Sequence, residues 1–383
     1  MRNIYIAGIG LTPVGEHWEN SLRELALQAV MAAQQDLAIQ AGTLAPPPEA
    51  LFVGNMLAGE LSGQEHLGAL IADYCGMRGI EASTVEAAGA SGGAALRQAV
   101  LAVGSGMIDT ALVVGVEKMT DTVGTGVAAA TATASDSDWE AAQGITPTGL
   151  AAMLMRRYMH ENGLELAAFA GFSVNAHANA RTNPNAMFQN ALAAEAYARA
   201  GMVAEPVNMF DTAPDADGAA ALIISCEPAA VRVAASASAT DTLALHDRGD
   251  VLAFEAARLS AERAYQRAGI GPGDIDLFEL HDAYTIFAAL SLEAAGFAAH
   301  GQGWRLAPAD ISRTGRIPIS TFGGLKARGN PGGATGVYQA AEAVLQLRWA
   351  AGPNQVDGAH WAMTQCLGGA GATAVTHILE RAG

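Results

Sequence analysis

Two short stretches of this chain share one pattern. Residues 89–94 read Gly-Ala-Ser-Gly-Gly-Ala and residues 329–334 read Gly-Asn-Pro-Gly-Gly-Ala, and each runs straight into a helical pattern. Glycines just ahead of a helix let other backbone come close, and the first helical N–H groups point forward without partners. Each turn also sits at the matching point of an array in which apolar strand-like runs alternate with helices. In the first array Ile4–Ile9, residues 50–54, 84–88 and the run DTALVVGVEKM read as strands, with helices at 65–76 and 92–103. Ser21 with Glu24 forms a capping box that opens a long helix at Leu22. The rhythm stops near residue 120, where Thr/Ala-rich and Met-rich segments follow, and resumes at the buried run GAAALIIS. Helices at 252–268 and 334–349, a strand in DIDLFEL and closing strands in HWAMTQC and ATAVTHILE complete the second array. Alternation of this kind requires parallel pairing through crossovers, and its repetition predicts a duplicated α/β fold. The expected divisions are a first half over 1–119, an inserted segment over 120–215 that covers the site, and a second half over 216–383.

Composition limits the function classes. With 51% hydrophobic and 15% charged residues, the 383-residue chain has a large core and no disordered tract. A formal net charge of −17 without any Lys/Arg run disfavours nucleic acid and anionic membranes as partners. Cys75, Cys226 and Cys366 stand far apart with no C-x-x-C pair, so neither a metal site nor a disulfide framework is expected and a reducing, cytoplasmic setting fits. Gly8, Gly10 and Pro13 break the apolar N-terminal run, which reads as strand and turn, not a cleaved leader. No apolar run approaches the roughly 18 residues that span a bilayer. A nicotinamide-dependent oxidoreductase is set aside because GIGLTPVG lacks the G-x-G-x-x-G that opens a helix at a dinucleotide site.

Four segments then stand out: VEAAGASGGAA (85–95), ELHDAYT (279–285), GGLKARGNPGGATG (323–336) and TQCLGGAGATA (364–374). Turns at the carboxyl ends of strands in such a fold meet in one crevice. The order and spacing of these segments resemble the thiolase superfamily, most closely the sterol-carrier-protein type of thiolase, over nearly the whole chain. The resemblance implies a thiolase fold, with two similar βαβαβ-type halves in a five-layered αβαβα arrangement. It implies an acyl-CoA C-acyltransferase, acetyl-CoA acetyltransferase-like, that makes or breaks C–C bonds next to a CoA thioester in lipid metabolism. The thioester is then substrate, with no covalently bound cofactor. A homodimer or homotetramer is implied too, and for this branch a small zinc-ribbon/OB-fold partner protein.

The family carries the acyl group on a cysteine in a C-x-S-G-G turn and activates it with the His of G-H-P. An N-E-A-F or H-D-x-F motif supplies an oxyanion hole, and the cysteine of C-x-G serves as acid/base. Carried over residue by residue, the nucleophile position is Gly89 and the G-H-P position is Asn330. His281 takes the first place of the H-D motif as a donor to a thioester oxygen, Cys366 stands in C-x-G, and Gly368 offers a backbone N–H. Ser91, Gly324 and Tyr284 complete the expected substrate-binding set. Tyr284 either fills the aromatic slot of the motif or acts as the acid/base of a retro-aldolase on a CoA ester. Asn330 either caps a helix or donates from its amide to the thioester. Lys326, Arg328, Arg156, Arg157 and Arg181 are the cations expected to meet CoA phosphates. Cys75 and Cys226 read as core, and Ser91 has no base beside it, so no nucleophile is found. The site is therefore weakened, inactivated or repurposed for direct C–C chemistry, or the chain is a non-catalytic subunit of a complex. Gly89→Cys is expected to restore an acylatable thiol, because the turn and helix N-terminus that would lower its pKa are in place.

Overall fold

The structure is a computed structural model and describes residues 2–42, 47–307 and 309–382. Its strands are β1 (Tyr5–Leu11), β2 (Ala50–Gly54), β3 (Glu81–Val85), β4 (Thr110–Glu117), β5 (Met202–Ala204), β6 (Val207–Asn208), β7 (Gly218–Ser225), β8 (Val231–Thr240), β9 (Leu277–Glu279), β10 (Trp361–Gly368) and β11 (Thr373–Arg381). Nine of them form one sheet in the order β3-β2-β4-β7-β1-β8-β11-β10-β9, while β5 and β6 pair separately.

The order is a palindrome about the β1–β8 seam. Outward on one side lie β1, β7, β4, β2 and β3. On the other lie β8, β11, β10 and β9, and then Ile319, bridged in parallel to Phe278. In chain order each side reads first, fifth, fourth, second, third. The directions match as well, since β4 with β2 and β10 with β9 run parallel while β7 and β11 run antiparallel to their neighbours. The duplication read from the paired turns is thus present in the topology. β7 is the fifth strand of the first array, so the seam falls between Ser225 and Val231, beyond the boundary at 216 that the sequence suggested. The seam itself is narrow, with Tyr5 opposite Arg232 and Ile6 opposite Val231.

Three apolar clusters build the layers. Helices Leu22–Ala41 and Leu67–Tyr74 pack on the outer face of the first array through Leu25, Ala29, Ile71 and Leu51. Helices Glu255–Ala268 and Thr285–Ala294 cover the second through Ala257, Ala261, Phe287 and Leu290. Between the arrays lie helices Ser91–Ser105 and Thr335–Leu347, whose Ala95, Leu96, Val337 and Ala341 share one cluster with strands of both. Every residue of Thr335–Leu347 except Leu345 is buried, as expected of a helix with protein on all sides. Glu342 accepts from Arg328 at 2.6 Å and Gln346 donates to Thr321 Oγ1 at 3.0 Å.

Element ends shift by a few residues from the sequence reading. The strand expected at 84–88 is β3 at 81–85, because Ala88–Ala90 already form a helical turn. The Ser21 capping box is present, with Glu24 Oε2 accepting from the Ser21 N–H at 2.7 Å.

The two central helices meet at glycines. A Cβ on Gly336 would overlap the Gly93 backbone nitrogen and lie 2.9 Å from its Cα, and a Cβ on Gly92 would lie 2.7 Å from the Gly333 carbonyl oxygen. Both helix N-termini are thereby drawn to one place. Gly336→Ala is expected to lower stability by about 1–3 kcal/mol through overpacking, whereas Gly15→Ala, where a Cβ meets nothing within 4 Å, should be close to neutral. Denaturant midpoints of the two variants check this.

Candidate active site

The turn Ala87–Ser91 is fixed by one side chain. Ser91 Oγ accepts from the Ala87 N–H at 2.9 Å and donates to the Ala88 carbonyl at 2.6 Å, while Ala88 holds a left-handed φ of 51°. Gly89 follows, at the wall of a cavity of about 430 Å³. His281, Tyr284, Asn330, Asp215, Phe287 and Leu367 line the same cavity. Residues from the segment 120–215, among them Ala128, Thr148, Leu150 and Val203, form part of its wall.

His281 follows β9 and is buried, with Cε1 and Nε2 turned toward Gly89 and with Nδ1 lacking a protein partner. Burial, and secondarily the Arg328 charge, hold its pKa down at about 3. The imidazole is therefore neutral at any ordinary pH and offers a single N–H. Its neighbour Asp282 accepts from the Leu325 N–H at 2.7 Å and from Ser320 Oγ at 3.2 Å, which anchors the loop. Asn330 is fixed by its backbone, with N–H to Pro214 O at 3.0 Å and its carbonyl accepting from Ala216 at 3.2 Å. Its Oδ1 accepts from Thr335 Oγ1 at 3.3 Å, so the amide NH₂ is the end left to donate. The Asn330 side chain makes no N-cap, since the helix starts at Thr335 after Ala334.

The same backbone pairing sets Asp215 beside Asn330. The sequence reading missed Asp215, although its carboxyl opens onto the cavity and desolvation raises its pKa above the ordinary 3.8. Asp217, two residues on, points the other way and is consumed by the N–H groups of Met119 at 2.7 Å and Thr120 at 2.9 Å and by Lys118 Nζ at 2.8 Å. Tyr284 reaches Thr148 Oγ1 at 3.0 Å through its hydroxyl, and burial pushes its phenol up to about 12.

Four expected site residues lie elsewhere. The sulfur of Cys366 faces the core between Gly93 and Gly336, within 3.7 Å of the Ala90 carbonyl, and burial pushes the thiol up to about 12. Such a thiol is packing, not an acid or base at the cavity. Gly368 ends β10 opposite Thr373, where a side chain would strike the Ala87 carbonyl; Leu367, Gly369 and Ala370 form the wall instead. Ser91 is buried and spends both bonding directions on the turn. Gly324, with φ 55°, makes room for the Asp282 carboxylate and Ser320 Oγ.

Two of the cations expected at CoA phosphates are corrected, while Arg181 is exposed and off the cavity wall. Arg328 is fully buried against Glu342 and lies over Tyr338 at 4.9 Å, and Lys326 donates to the Asp211 carbonyl at 2.8 Å. Arg156 and Arg157 are exposed, lie beside Glu205 and Glu161, and do not line the cavity. Among the described residues no three His, Cys, Asp or Glu side chains group to hold a metal ion, and no helix is long and apolar enough to cross a membrane.

The space ahead of Gly89 is the decisive feature. A Cβ there would lie 2.8 Å from the Leu367 carbonyl oxygen and 3.0 Å from His281 Cε1. A side chain at this position therefore needs the β10 backbone or His281 to give way, so a thiol does not fit the turn unaided.

Residues 4–227 match the family model of the thiolase N-terminal domain and residues 237–381 that of a thiolase C-terminal domain-like unit. The chain is 44% identical to an acetyl-CoA acetyltransferase of Methanothermobacter thermautotrophicus, with 100% of both chains covered. It is 32% identical to the benzoylsuccinyl-CoA thiolase subunit BbsB of Thauera aromatica, covering 91% of this chain and 89% of that one. Among solved structures, an Ltp2–ChsH2(DUF35) aldolase aligns with a TM-score of 0.83 at 25% identity, over 99% of this chain and 98% of that one.

Gly89→Cys is expected to cost about 1–3 kcal/mol and to move His281, read as a lower melting temperature and an altered His281 ring signal in NMR. A second outcome concerns pH. Burial raises Glu279 from 4.5 to about 8, so the fold holds a proton that the unfolded chain releases. Stability from this group is complete below pH 4.5 and is lost as pH rises toward 8. Glu279→Gln, which keeps an acceptor for Thr321, should melt at a temperature that declines less between pH 5 and pH 8 than that of the parent.

Proposed function

The chain belongs to the thiolase family, and we propose that it binds CoA thioesters and makes or breaks the adjacent C–C bond without carrying the acyl group itself. The closed space ahead of Gly89 carries this reading: no side chain there can attack a carbonyl, and none fits without displacing His281. What faces the cavity instead is a set suited to acid–base chemistry.

In the cleavage direction a 3-hydroxyacyl-CoA places its thioester oxygen at the His281 N–H and the Asn330 amide. Asp215 takes the proton of the 3-hydroxyl, directly or through a water. The Cα–Cβ bond breaks, a carbonyl forms at Cβ, and the electron pair passes into the thioester enolate held by the two donors. The protonated Asp215 then returns the proton to Cα, directly or by reprotonating Tyr284 after the phenol has donated, giving the shortened acyl-CoA and a free aldehyde or ketone. The neutral His281 suits this work, since a fixed neutral donor in a dry site stabilises an enolate without competing for its proton. Synthesis is the reverse sequence. The likeness to a solved aldolase over nearly the full chain supports the direction of this reading.

A partner is part of the proposal. The aldolase structure is of a complex with a DUF35 protein, and the Thauera relative is named as a subunit. A small zinc-ribbon/OB-fold protein of that kind, beside a homodimer or homotetramer in the cytoplasm and a role in lipid metabolism, fits this chain. β3 supports self-association, as it ends the sheet with Glu81, Ser83 and Thr84 exposed. The second reading, a non-catalytic subunit, rests on the same relatives.

Incubation with acyl-CoA should leave the protein mass unchanged, while a 3-hydroxyacyl-CoA should be cleaved. Asp215→Asn should lower that cleavage about 10²- to 10⁴-fold and His281→Ala about 10²- to 10³-fold. Rapid thiolysis with a covalent adduct would sink the proposal; no turnover even with the partner present would favour the non-catalytic reading.

A further inference from the structure

We propose that a second cleft, sharing no lining residue with the active-site cavity, binds a phosphate-class oxyanion through Arg97, Arg263 and Arg267. The cleft has a volume of about 420 Å³ and is lined by Arg97, Gln98, Thr240, Arg263, Thr373 and neighbouring small residues. It opens where the strand arrays part. β8 is joined to the first array over Val231–Val233, and farther along its edge the Ser236 and Ser238 carbonyls are met by guanidinium groups. Arg97 Nη1 donates to Ser236 O at 2.7 Å, Arg267 Nη1 donates to the same oxygen, and Arg263 Nη1 donates to Ser238 O at 2.9 Å. Carbonyls two residues apart on one strand edge lie about 7 Å from each other. Arg97 and Arg263 thus line the cleft, and Arg267 stands beside them on the Ser236 carbonyl that it shares with Arg97.

About half of the arginines form ion pairs among the described residues. Arg2 with Asp109, Arg78 with Asp73, Arg232 with Glu380, Arg258 with Glu255 and Arg348 with Asp36 all form ion pairs. None of Arg97, Arg263 and Arg267 has a carboxylate partner among the described residues, although acidic residues outnumber basic ones by 38 to 21. After partial burial, the charges that weigh on Arg97 are those of Arg267 and Arg263. Three like charges gathered without a counter-ion repel one another, and a multiply charged anion relieves that repulsion. Each guanidinium has five N–H groups, and the strand carbonyls occupy only part of them, so bidentate contacts to phosphate oxygens remain available. Gln98, Thr240 and Thr373 add neutral donors on the same walls.

The test is calorimetric titration of the full chain with pyrophosphate, with chloride adjusted to keep ionic strength constant. One saturable site per chain is expected. Arg263→Gln with Arg267→Gln, both on exposed positions of helix Glu255–Ala268, should weaken it at least roughly tenfold, and Arg156→Gln with Arg157→Gln should leave it unchanged. Displacement by inorganic phosphate or by adenosine 3′,5′-bisphosphate, each supporting the site, tells whether the bound group is free or carried on a nucleotide. Absence of saturable binding, or equal binding by the Arg263/Arg267 variant, overturns the proposal. So does a change of sedimentation coefficient in that variant without any pyrophosphate effect, because acidic side chains of a second copy would then fill the cleft.

Discussion

Everything in this molecule hangs on two helices touching through bare backbone. Gly92 and Gly93 on one side and Gly333 and Gly336 on the other allow an approach that any side chain would prevent. The contact sets the thickness of the middle layer, and with it the spacing of the two strand arrays. It also brings two helix N-termini to one place, with Gly89 ahead of the first and Asn330 ahead of the second. Glu117 fastens the junction from below. Its carboxyl accepts from the N–H groups of Met56 at 2.9 Å, Leu57 at 3.1 Å and Gly333 at 2.9 Å, so an acid of the first array holds a turn of the second. Burial raises that acid to about 7 even against four favourable hydrogen bonds.

The site assembled on this junction is electrically quiet. Its direct donors, the His281 imidazole, the Asn330 amide and the Tyr284 phenol, are all neutral, and Asp215 is the one carboxyl on the wall. The charges lie a layer beneath: Arg328 against Glu342, Lys326 on backbone carbonyls, Asp282 on the Leu325 N–H. They hold the loops in place and, through Arg328, help to keep His281 unprotonated. Ahead of Gly89, the Leu367 carbonyl oxygen and the His281 ring stand close to where a side chain would begin.

How much of this could be read in advance follows from the kind of force involved. The duplicated turns and the strand–helix rhythm exposed the fold, because close backbone approach and burial write themselves into local composition. Gly89, His281, Asn330 and Tyr284, named through the resemblance of their motifs, line one cavity because the turns that carry them end strands at a shared crevice. Cys366 was misread because a strand alternates its faces, and the face of one residue depends on a register no single segment reveals. Lys326 and Arg328 read as phosphate-binding cations because nothing in their loop pairs them, while the partner that holds Arg328 stands on the following helix. Asp215 was passed over since Asp215 and Asp217 look alike in PDAD, and only the β-bridge to Asn330 separates a cavity acid from a structural one.

The shared middle layer has a thermodynamic consequence. Two arrays of the same topology, joined at the sheet by so narrow a seam, resemble two domains free to melt in turn. Yet neither has an inner face of its own: helix Ser91–Ser105 packs against strands of both, and Tyr338 of helix Thr335–Leu347 donates across to the Thr12 carbonyl at 3.0 Å. Loosening either array strips cover from the other, so local opening cannot stop at the seam. A chain built by repeating one plan is in this way committed to unfolding as a single cooperative unit.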